Sequence, residues 1–331
     1  MVMKKRSRPQ PFYLLGCLSY LASGLSSHAI LDANSMSNTN APADGAPWAN
    51  IGRVNGPSGT YIAAGWVLTA AHVGAGDFTL GTLTLPYDGI SHRLTNSDGT
   101  VTDMILFHVS QTASVPSLPL ASSPPALNSV VDFIGTGYIA GSGPMPIGSY
   151  TGFTWFLTSA RSLGNNKVAS INYVYNAGFG NVTLFSTSFE ATGQTSAECQ
   201  GTGGDSGSGV FQKSGAVWQL VGMSDLVSVY TNQPANTSVY GNSTFAAQIS
   251  TYRSQILAWL GSIPPTLSVT KSGNAVNVCW PDPGLAYTLQ TTPTLVPTAW
   301  STITQPQVAT NGMICVSVPA TNSASFFRLQ R

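Results

Sequence analysis

The chain is organised around residues 203–209, which read Gly-Gly-Asp-Ser-Gly-Ser-Gly. Glycine lacks a Cβ, so this loop can adopt positive φ values and bring its backbone close to a ligand. Consecutive N–H groups in such a loop can converge on an oxygen that gains negative charge during acyl transfer. Ser206 lies where its hydroxyl could attack a carbonyl beside those donors. Gly/Asp/Ser clusters also mark ordinary turns, and a serine needs a base, which the rest of the chain must supply.

Composition favours an all-β extracellular protein. The chain has 331 residues, enough for two domains, and only 8% of them are charged, with a formal net charge of +1. This balance gives no indication of nucleic acid or of an electrostatically bound membrane as a partner. Frequent Gly and Pro, together with abundant Asn, Ser and Thr, indicate many short strands joined by turns.

The N-terminus predicts a secretory signal peptide over residues 1–29. A basic head containing Lys4 and Arg8 precedes an apolar run, and Ser27-His28-Ala29 offers a small-x-small cleavage site. The run is too short and too rich in Ser and Gly for a spanning helix, and no other segment is long and apolar enough. Leu14-Leu15-Gly16-Cys17 also resembles a bacterial lipoprotein cleavage box. We therefore expect secretion, to the exterior or the bacterial cell envelope.

Cysteine usage agrees with export. Cys17 leaves with the signal peptide, so three cysteines remain. Cys279 and Cys315 both lie in strand-like runs of the C-terminal region, and we predict that they form a disulfide. Closing a loop of this size would stabilise the fold by about 3–4 kcal/mol on the chain-entropy model. Cys199 is then left as a free thiol.

Hydrophobic patterning predicts short strands after a poorly ordered arm over residues 30–46. A 12-residue stretch, 249–260, has apolar residues at helical spacing and is followed by Gly261 and Pro264-Pro265, so it predicts a helix. The predicted strands, including a hairpin whose turn is at Ser214-Gly215, are Ile51–Val54, Tyr61–Ala70, Val130–Gly135, Val168–Tyr175, Val182–Phe189, Val210–Phe211 and Val217–Val221.

Two further motifs offer a base and a carboxylate. His72 ends Leu-Thr-Ala-Ala-His, directly after an apolar strand, and Asp103 begins Asp-Met-Ile-Leu-Phe. Taken singly, each favours a structural role, a buried histidine and a turn aspartate. Taken together with Ser206 they occur in the order His, Asp, Ser, which separates this arrangement from those of subtilisins and α/β-hydrolases.

The set resembles the trypsin/chymotrypsin-like serine peptidases over roughly residues 47–262. Phe133-Ile134-Gly135-Thr136-Gly137 is similar to the strand ending that opens that family's second barrel, and residues 245–260 are similar to its closing strand and helix. The resemblance implies two six-stranded antiparallel β-barrels with the site between them.

By the same resemblance, Ser206 is the nucleophile, His72 the general base and Asp103 the carboxylate that orients the imidazole. The N–H groups of Gly204 and Ser206 form the oxyanion hole. Three other residues are weighed against this trio: His92 and His108 are interpreted as bystanders, and Asp98, in a Ser-Asp-Gly turn, is the runner-up carboxylate.

The chain departs from the family around the specificity pocket. Gln200 lies at the count of the pocket floor, but Cys199 lies farther from the Gly-Asp pair than in the family, which indicates an insertion here. Glu198 or Asp225 could supply negative charge for a basic side chain. In many relatives the aspartate matching Asp205 binds a new N-terminal ammonium. We hypothesise that cleavage after Ala29 exposes Ile30 for this role.

Residues 263–331 predict a separate small β-sandwich. Tyr287-Thr288-Leu289-Gln290, Trp300 and Phe326-Phe327-Arg328-Leu329 resemble fibronectin-type-III-like modules of secreted bacterial proteins. Such a module could contact a cell surface or polysaccharide, or act as a spacer. The predicted strands are Thr266–Val269, Ala275–Trp280, Tyr287–Gln290, Trp300–Ile303, Met313–Val318 and Phe326–Leu329.

The sequence thus predicts a secreted serine endopeptidase that acts on proteins or peptides through an acyl-enzyme on Ser206. No His/Cys/Asp cluster has metal-ligand spacing, so we expect neither a metal nor an organic cofactor. Two alternatives stay open: a catalytically inactive, peptidase-like binding or adhesion protein, and an esterase on the same scaffold.

Overall fold

The computed structural model describes residues 13–15, 30–34, 38–156, 160–193, 195–321 and 324–331. Most of the predicted signal peptide lies outside this range, so that prediction is untested. Within it, β1 is Tyr13–Leu15 and β2 is Leu31–Asp32. A search of the described residues for a helix long and apolar enough to cross a bilayer finds none.

The first half of the chain forms a curled antiparallel sheet of seven strands, preceded by a 3₁₀ turn, Trp48–Asn50. Its strands are β3 (Ile51–Val54), β4 (Ser58–Ala63), β5 (Trp66–Ala70), β6 (Phe78–Leu80), β7 (Leu83–Leu85), β8 (Tyr87–Thr95) and β9 (Val101–Val109). Their order in the sheet is β7-β6-β3-β4-β5-β9-β8.

The single strand predicted over Tyr61–Ala70 is wrong. Ala64 and Gly65 have φ values of +44° and +89°, which reverse the chain. The two halves become β4 and β5, which pair antiparallel and are buried along their whole length. An apolar run is compatible with one strand or two, and only the turn geometry distinguishes them.

The second half closes into a ring. Its strands are β10 (Val130–Gly135), β11 (Ile139–Ile147), β12 (Tyr150–Phe156), β13 (Ser162–Asn176), β14 (Asn181–Ser188), β15 (Cys199–Gln200), β16 (Gly209–Ser214), β17 (Val217–Val229), β18 (Thr237–Val239) and β19 (Ser243–Gln248). In the ring, β17-β16-β10-β13-β14-β19 follow one another, and β19 pairs again with β17. This gives the six strands predicted for the second barrel; β1 adds to the edge of β17.

Helix α1, Ile249–Leu260, has the predicted bounds and joins the two halves. Its buried face presents Ile249, Tyr252, Ile256 and Leu260 to a core that contains Leu68 and Leu106 of the first sheet and Phe211 and Met223 of the second. Because one continuous core lies between the halves, their facing edges are held in fixed positions. The predicted all-β double barrel with a C-terminal helix is confirmed.

Residues 268–330 form two small sheets around Trp280, Val278, Leu289 and Val316. One has the order β20-β21-β25-β24 and the other β23-β22-β26. The strands are β20 (Ser268–Ser272), β21 (Ala275–Pro281), β22 (Thr288–Thr292), β23 (Ser301–Thr302), β24 (Val308–Thr310), β25 (Met313–Pro319) and β26 (Phe326–Gln330). The sequence missed β24, a three-residue exposed edge strand. Cys279 and Cys315, paired across β21 and β25, form the predicted disulfide.

The predicted arm differs from the structure at its start. Ile30 and Leu31 are fully buried, and β2 pairs antiparallel with β15. Two adjacent apolar side chains stabilise this docking by removing their surface from water. The polar composition of the segment as a whole concealed them.

Candidate active site

The ladder between β5 and β9 positions His72 beside Asp103. Ala70 lies opposite Met104, and the Ala71 N–H donates to the Asp103 carbonyl over 3.1 Å, which extends the pairing beyond the end of β5. His72 is the next residue. Asp103, the third residue of β9, is thereby brought under the imidazole although 31 positions separate the two in sequence.

The three predicted residues form one hydrogen-bonded chain. His72 Nδ1 lies 2.7 Å from Asp103 Oδ2, and the His72 backbone N–H donates to Asp103 Oδ1 over 2.8 Å. His72 Nε2 lies 2.9 Å from Ser206 Oγ. The carboxylate thus fixes both the backbone and the ring of His72, leaving Nε2 directed at the serine. The side chains of His72 and Asp103 are 7% and 3% exposed, so little water screens the interaction between them.

The turn that carries Ser206 is held by both barrels. Gly207 has φ +89°, and a Cβ there would lie 2.2 Å from the Ser58 carbonyl and from Thr69 Oγ1. Thr60 Oγ1 donates to the Gly207 carbonyl over 2.9 Å, and the Gly207 N–H donates to the Ser224 carbonyl over 2.8 Å. The first barrel therefore contacts the serine turn directly, which fixes the distance from Ser206 to His72.

Two backbone donors beside Ser206 are free. Among the described residues, neither the Gly204 N–H nor the Ser206 N–H donates to a protein acceptor. The Gly204 carbonyl is turned away and accepts from the Ser58 N–H over 2.9 Å. Unused donors next to a serine are what an anionic oxygen would require.

Comparison with known proteins identifies the family of the chain. Residues 36–254, more than half of the chain, match the family model described as Trypsin. The chain belongs to the trypsin family. Among solved structures it is similar to the inactive form of the Rv3671c protease, with 14% identity, 70% of this chain and 98% of that chain covered, and a TM-score of 0.42. No curated protein matches the sequence significantly.

In this trypsin-family chain, Asp205 is buried behind the serine turn. Gly137 N–H and Thr202 N–H donate to its carboxylate over 2.8 and 2.9 Å, and Thr202 Oγ1 also lies 2.9 Å away. Burial raises the pKa of Asp205 to about 7 despite these donors. A Cβ on Gly135 or Gly137 would lie 2.2 or 2.6 Å from the carboxylate. The Gly-x-Gly motif therefore makes room for Asp205.

Asp225 is one of the two residues that the sequence offered as a negative charge for the specificity pocket. Its Oδ1 lies 4.0 Å from His72 Nδ1, behind the imidazole. Glu198 accepts hydrogen bonds from the Glu190 and Thr195 N–H groups of its own loop and is 1% exposed. The signal for Asp225 was its place in an apolar run, Leu220–Leu226, since a charge in a buried strand requires a partner.

The competing residues lie away from the serine, as interpreted from the sequence. The His92 ring stacks on Trp259 with centroids 3.3 Å apart, and His108 hydrogen-bonds Asp88. Asp98 accepts from the Thr100 N–H and hydroxyl in its exposed turn, and these bonds lower its pKa.

Cys199 and Gln200, which the sequence analysis considered for the specificity pocket, are both buried. Cys199 is a free thiol, 1% exposed, and burial followed by the nearby carboxylate of Glu198 raises its pKa well above the usual value. A thiol of this kind stays protonated and unreactive. Gln200 is also 1% exposed, and its Nε2 donates to the Ser243 carbonyl over 3.1 Å.

Proposed function

We propose that this chain is a secreted serine endopeptidase that hydrolyses peptide bonds through an acyl-enzyme on Ser206. The observation that carries the proposal is the continuous hydrogen-bonded path from Ser206 Oγ through His72 to Asp103. Membership of the trypsin family supports a peptidase and protein substrates.

The proposed mechanism follows from these atoms. His72 Nε2 accepts the proton of Ser206 Oγ as that oxygen bonds to the scissile carbonyl carbon. Asp103 stabilises the imidazolium that results. The free N–H groups of Gly204 and Ser206 receive the developing oxyanion. His72 then donates its proton to the departing amine, and water hydrolyses the acyl-enzyme by the same steps in reverse.

Ser206→Ala tests this role. Because the nucleophile is removed, we expect casein turnover to fall by about 10³-fold or more, with thermal stability close to wild type. A sulfonyl fluoride or organophosphonate should label wild-type Ser206, as located by mass spectrometry of the modified peptide.

Ser208→Ala is the matched control. Ser208 lies in the same loop, is fully buried, and its Oγ has no hydrogen-bond partner among the described residues. We expect this variant to retain turnover and labelling. Full activity in Ser206→Ala would refute the assignment, and a correctly folded wild type without turnover or labelling would favour the inactive binding protein.

The proposal extends to the organisation of the whole chain. Residues 1–29 direct export, which the Cys279–Cys315 disulfide supports, since disulfides persist in oxidising compartments. Residues 47–262 form the peptidase. Residues 263–331 form an appended sandwich of the fibronectin-type-III-like kind that contacts a cell surface or polysaccharide. The reaction described uses neither a metal nor an organic cofactor.

A further inference from the structure

A second buried carboxylate lies behind the His72–Asp103 pair. Strands β17 and β19 pair with Ser224 opposite Ala246 and Leu226 opposite Phe245, so Asp225 is the extra residue of a β-bulge. A bulge redirects the side chain of its extra residue. The Asp225 side chain is directed inward and is 1% exposed.

Among the described residues, the surroundings of Asp225 provide a second carboxylate but no donor within hydrogen-bond distance of its oxygens. From β9, Asp103 faces it, and a ring nitrogen of His72 and one carboxylate oxygen each of Asp103 and Asp225 lie within 4.8 Å of one another. From α1, Tyr252 faces the site, with its hydroxyl bonded to Asn96 Oδ1 and the Thr183 N–H. In the described part of the chain, no lysine or arginine forms an ion pair with Asp225, and His72 is the one ionic partner within 4.0 Å.

The two carboxylates differ in their hydrogen bonds. Asp103 accepts two N–H groups of His72, which favours its charged form. Both oxygens of Asp225 lack a partner among the described residues. Two ionised carboxylates cannot bond to each other because neither carries a hydrogen. A proton on Asp225 would provide the missing donor and remove the repulsion between like charges.

We propose that Asp225 is a positioning residue that retains its proton and donates a hydrogen bond to Asp103, so that the pair carries one negative charge behind His72. Burial, followed by the charge of Asp103, raises the pKa of Asp225 well above its usual value, in agreement with this role. The inference rests on the proposed peptidase function.

The total charge of Asp103 and Asp225 affects whether His72 can act as a base. A second negative charge 4.0 Å from His72 Nδ1 would stabilise the imidazolium form of the ring. An imidazole that is already protonated cannot accept the proton of Ser206. A neutral Asp225 therefore keeps His72 available near neutral pH and holds Asp103 in position.

Kinetics of Asp225→Ala and Asp225→Asn test the role. Removing the donor in Asp225→Ala should lower kcat by about 10-fold or more with KM little changed, since a hydrogen bond to a charged group is lost. The amide of Asp225→Asn can still donate, so we expect kcat to recover to within about threefold of wild type, the scatter usual for such bonds.

The acidic limb of the profile of kcat/KM against pH shows whether Asp225 is neutral or ionised. If Asp225 is neutral in the wild type, Asp225→Asn leaves this limb in place. If Asp225 is ionised, removing its charge moves the limb to lower pH by about one unit or more, which would overturn the proposal. Unchanged kcat in Asp225→Ala would overturn it as well. Asp132→Asn is the control, because burial also raises the pKa of Asp132, to about 6, on a different strand, β10.

Two measurements do not depend on turnover and so separate failure of this inference from failure of the proposed function. Histidine-selective NMR near neutral pH should give the same His72 ring signals in wild type and Asp225→Asn. The infrared difference spectrum between wild type and Asp225→Asn near neutral pH should contain a protonated-carboxyl band from Asp225. A difference spectrum without this band, or His72 signals shifted toward those of neutral imidazole in Asp225→Asn, would show that Asp225 is ionised. Melting curves establish that each variant is folded.

Discussion

At the scale of single residues, the role of a side chain in the site depends on which groups surround it. His72, His92 and His108 are chemically alike, yet only His72 lies against both a carboxylate and a serine hydroxyl. Glycines contribute because they have no Cβ. Gly135 and Gly137 leave space for the Asp205 carboxylate, and Gly207 leaves space for the first barrel.

Gly207→Ala should disrupt the serine turn. The added Cβ would meet the Ser58 carbonyl at 2.2 Å, and φ is +89°. Backbone atoms cannot move aside without displacing Ser206, so we expect peptidase activity to fall by about 100-fold or more, in line with the sensitivity of catalysis to misplacement of about 1 Å. Stability should fall by about 2–4 kcal/mol, measured by urea unfolding.

Gly215→Ala separates the effect of backbone strain from the effect of a steric clash. Gly215 also has positive φ, +62°, but a Cβ there would meet nothing within 4 Å. This variant should lose only about 1 kcal/mol, the cost of the left-handed conformation, and retain activity. Equal effects of the two substitutions would show that the contact with Ser58 is unimportant.

At the scale of secondary-structure elements, strand pairing brings residues that are distant in sequence into contact. The β5–β9 ladder brings His72 to Asp103, and the bulge in β17 brings Asp225 to the same place. In the C-terminal sheets, the disulfide joins β21 to β25 at directly opposed positions, Cys279 and Cys315. The loop it closes has a sequence separation of 36.

Replacing Cys279 and Cys315 by serine should therefore destabilise the C-terminal sheets. On the chain-entropy model the loss is about 3–4 kcal/mol, measured as a lower melting temperature by calorimetry. Reducing agent should lower the wild-type transition similarly and leave the double variant unchanged. A wild-type transition that is indifferent to reductant would contradict the expected contribution of the disulfide.

At the scale of the whole molecule, the N-terminal segment returns to the second barrel. Ile30 is fully buried, and Ser162 Oγ hydrogen-bonds its carbonyl. A Cβ on Gly135 would lie 3.1 Å from Ile30 Cδ1 and 2.2 Å from Asp205 Oδ1, so both groups pack against the same residue. We propose that cleavage after Ala29 leaves the Ile30 ammonium to pair with Asp205.

Protein that begins at Ile30 should then be more stable than protein with two extra residues before it, by about 1.5–3 kcal/mol for a charge-assisted bond. An ammonium lowers the pKa of Asp205 from about 7. The extended form therefore binds the extra proton below pH 7, so the difference in stability shrinks as pH falls below 7. The α-amino group ordinarily titrates at about pH 8, so the difference also shrinks at high pH, as the paired ammonium loses its proton. Asp205→Asn should abolish the difference, whereas N-terminal sequencing of exported, active protein that finds another first residue would reject the proposal.

The sequence by itself determined the class of the fold, the second barrel's first strand, the helix over 249–260, the disulfide and the His, Asp and Ser candidates. These depend on local patterns, namely apolar periodicity, glycine-rich turns and short motifs, which a single segment carries. Tertiary structure alone decided that the run over 61–70 is two strands, that Ile30 is buried, and that Asp225 lies behind His72. Each of those outcomes depends on contacts between segments distant in sequence, and the environment that sets the charge of a buried carboxyl exists only once those segments have packed together.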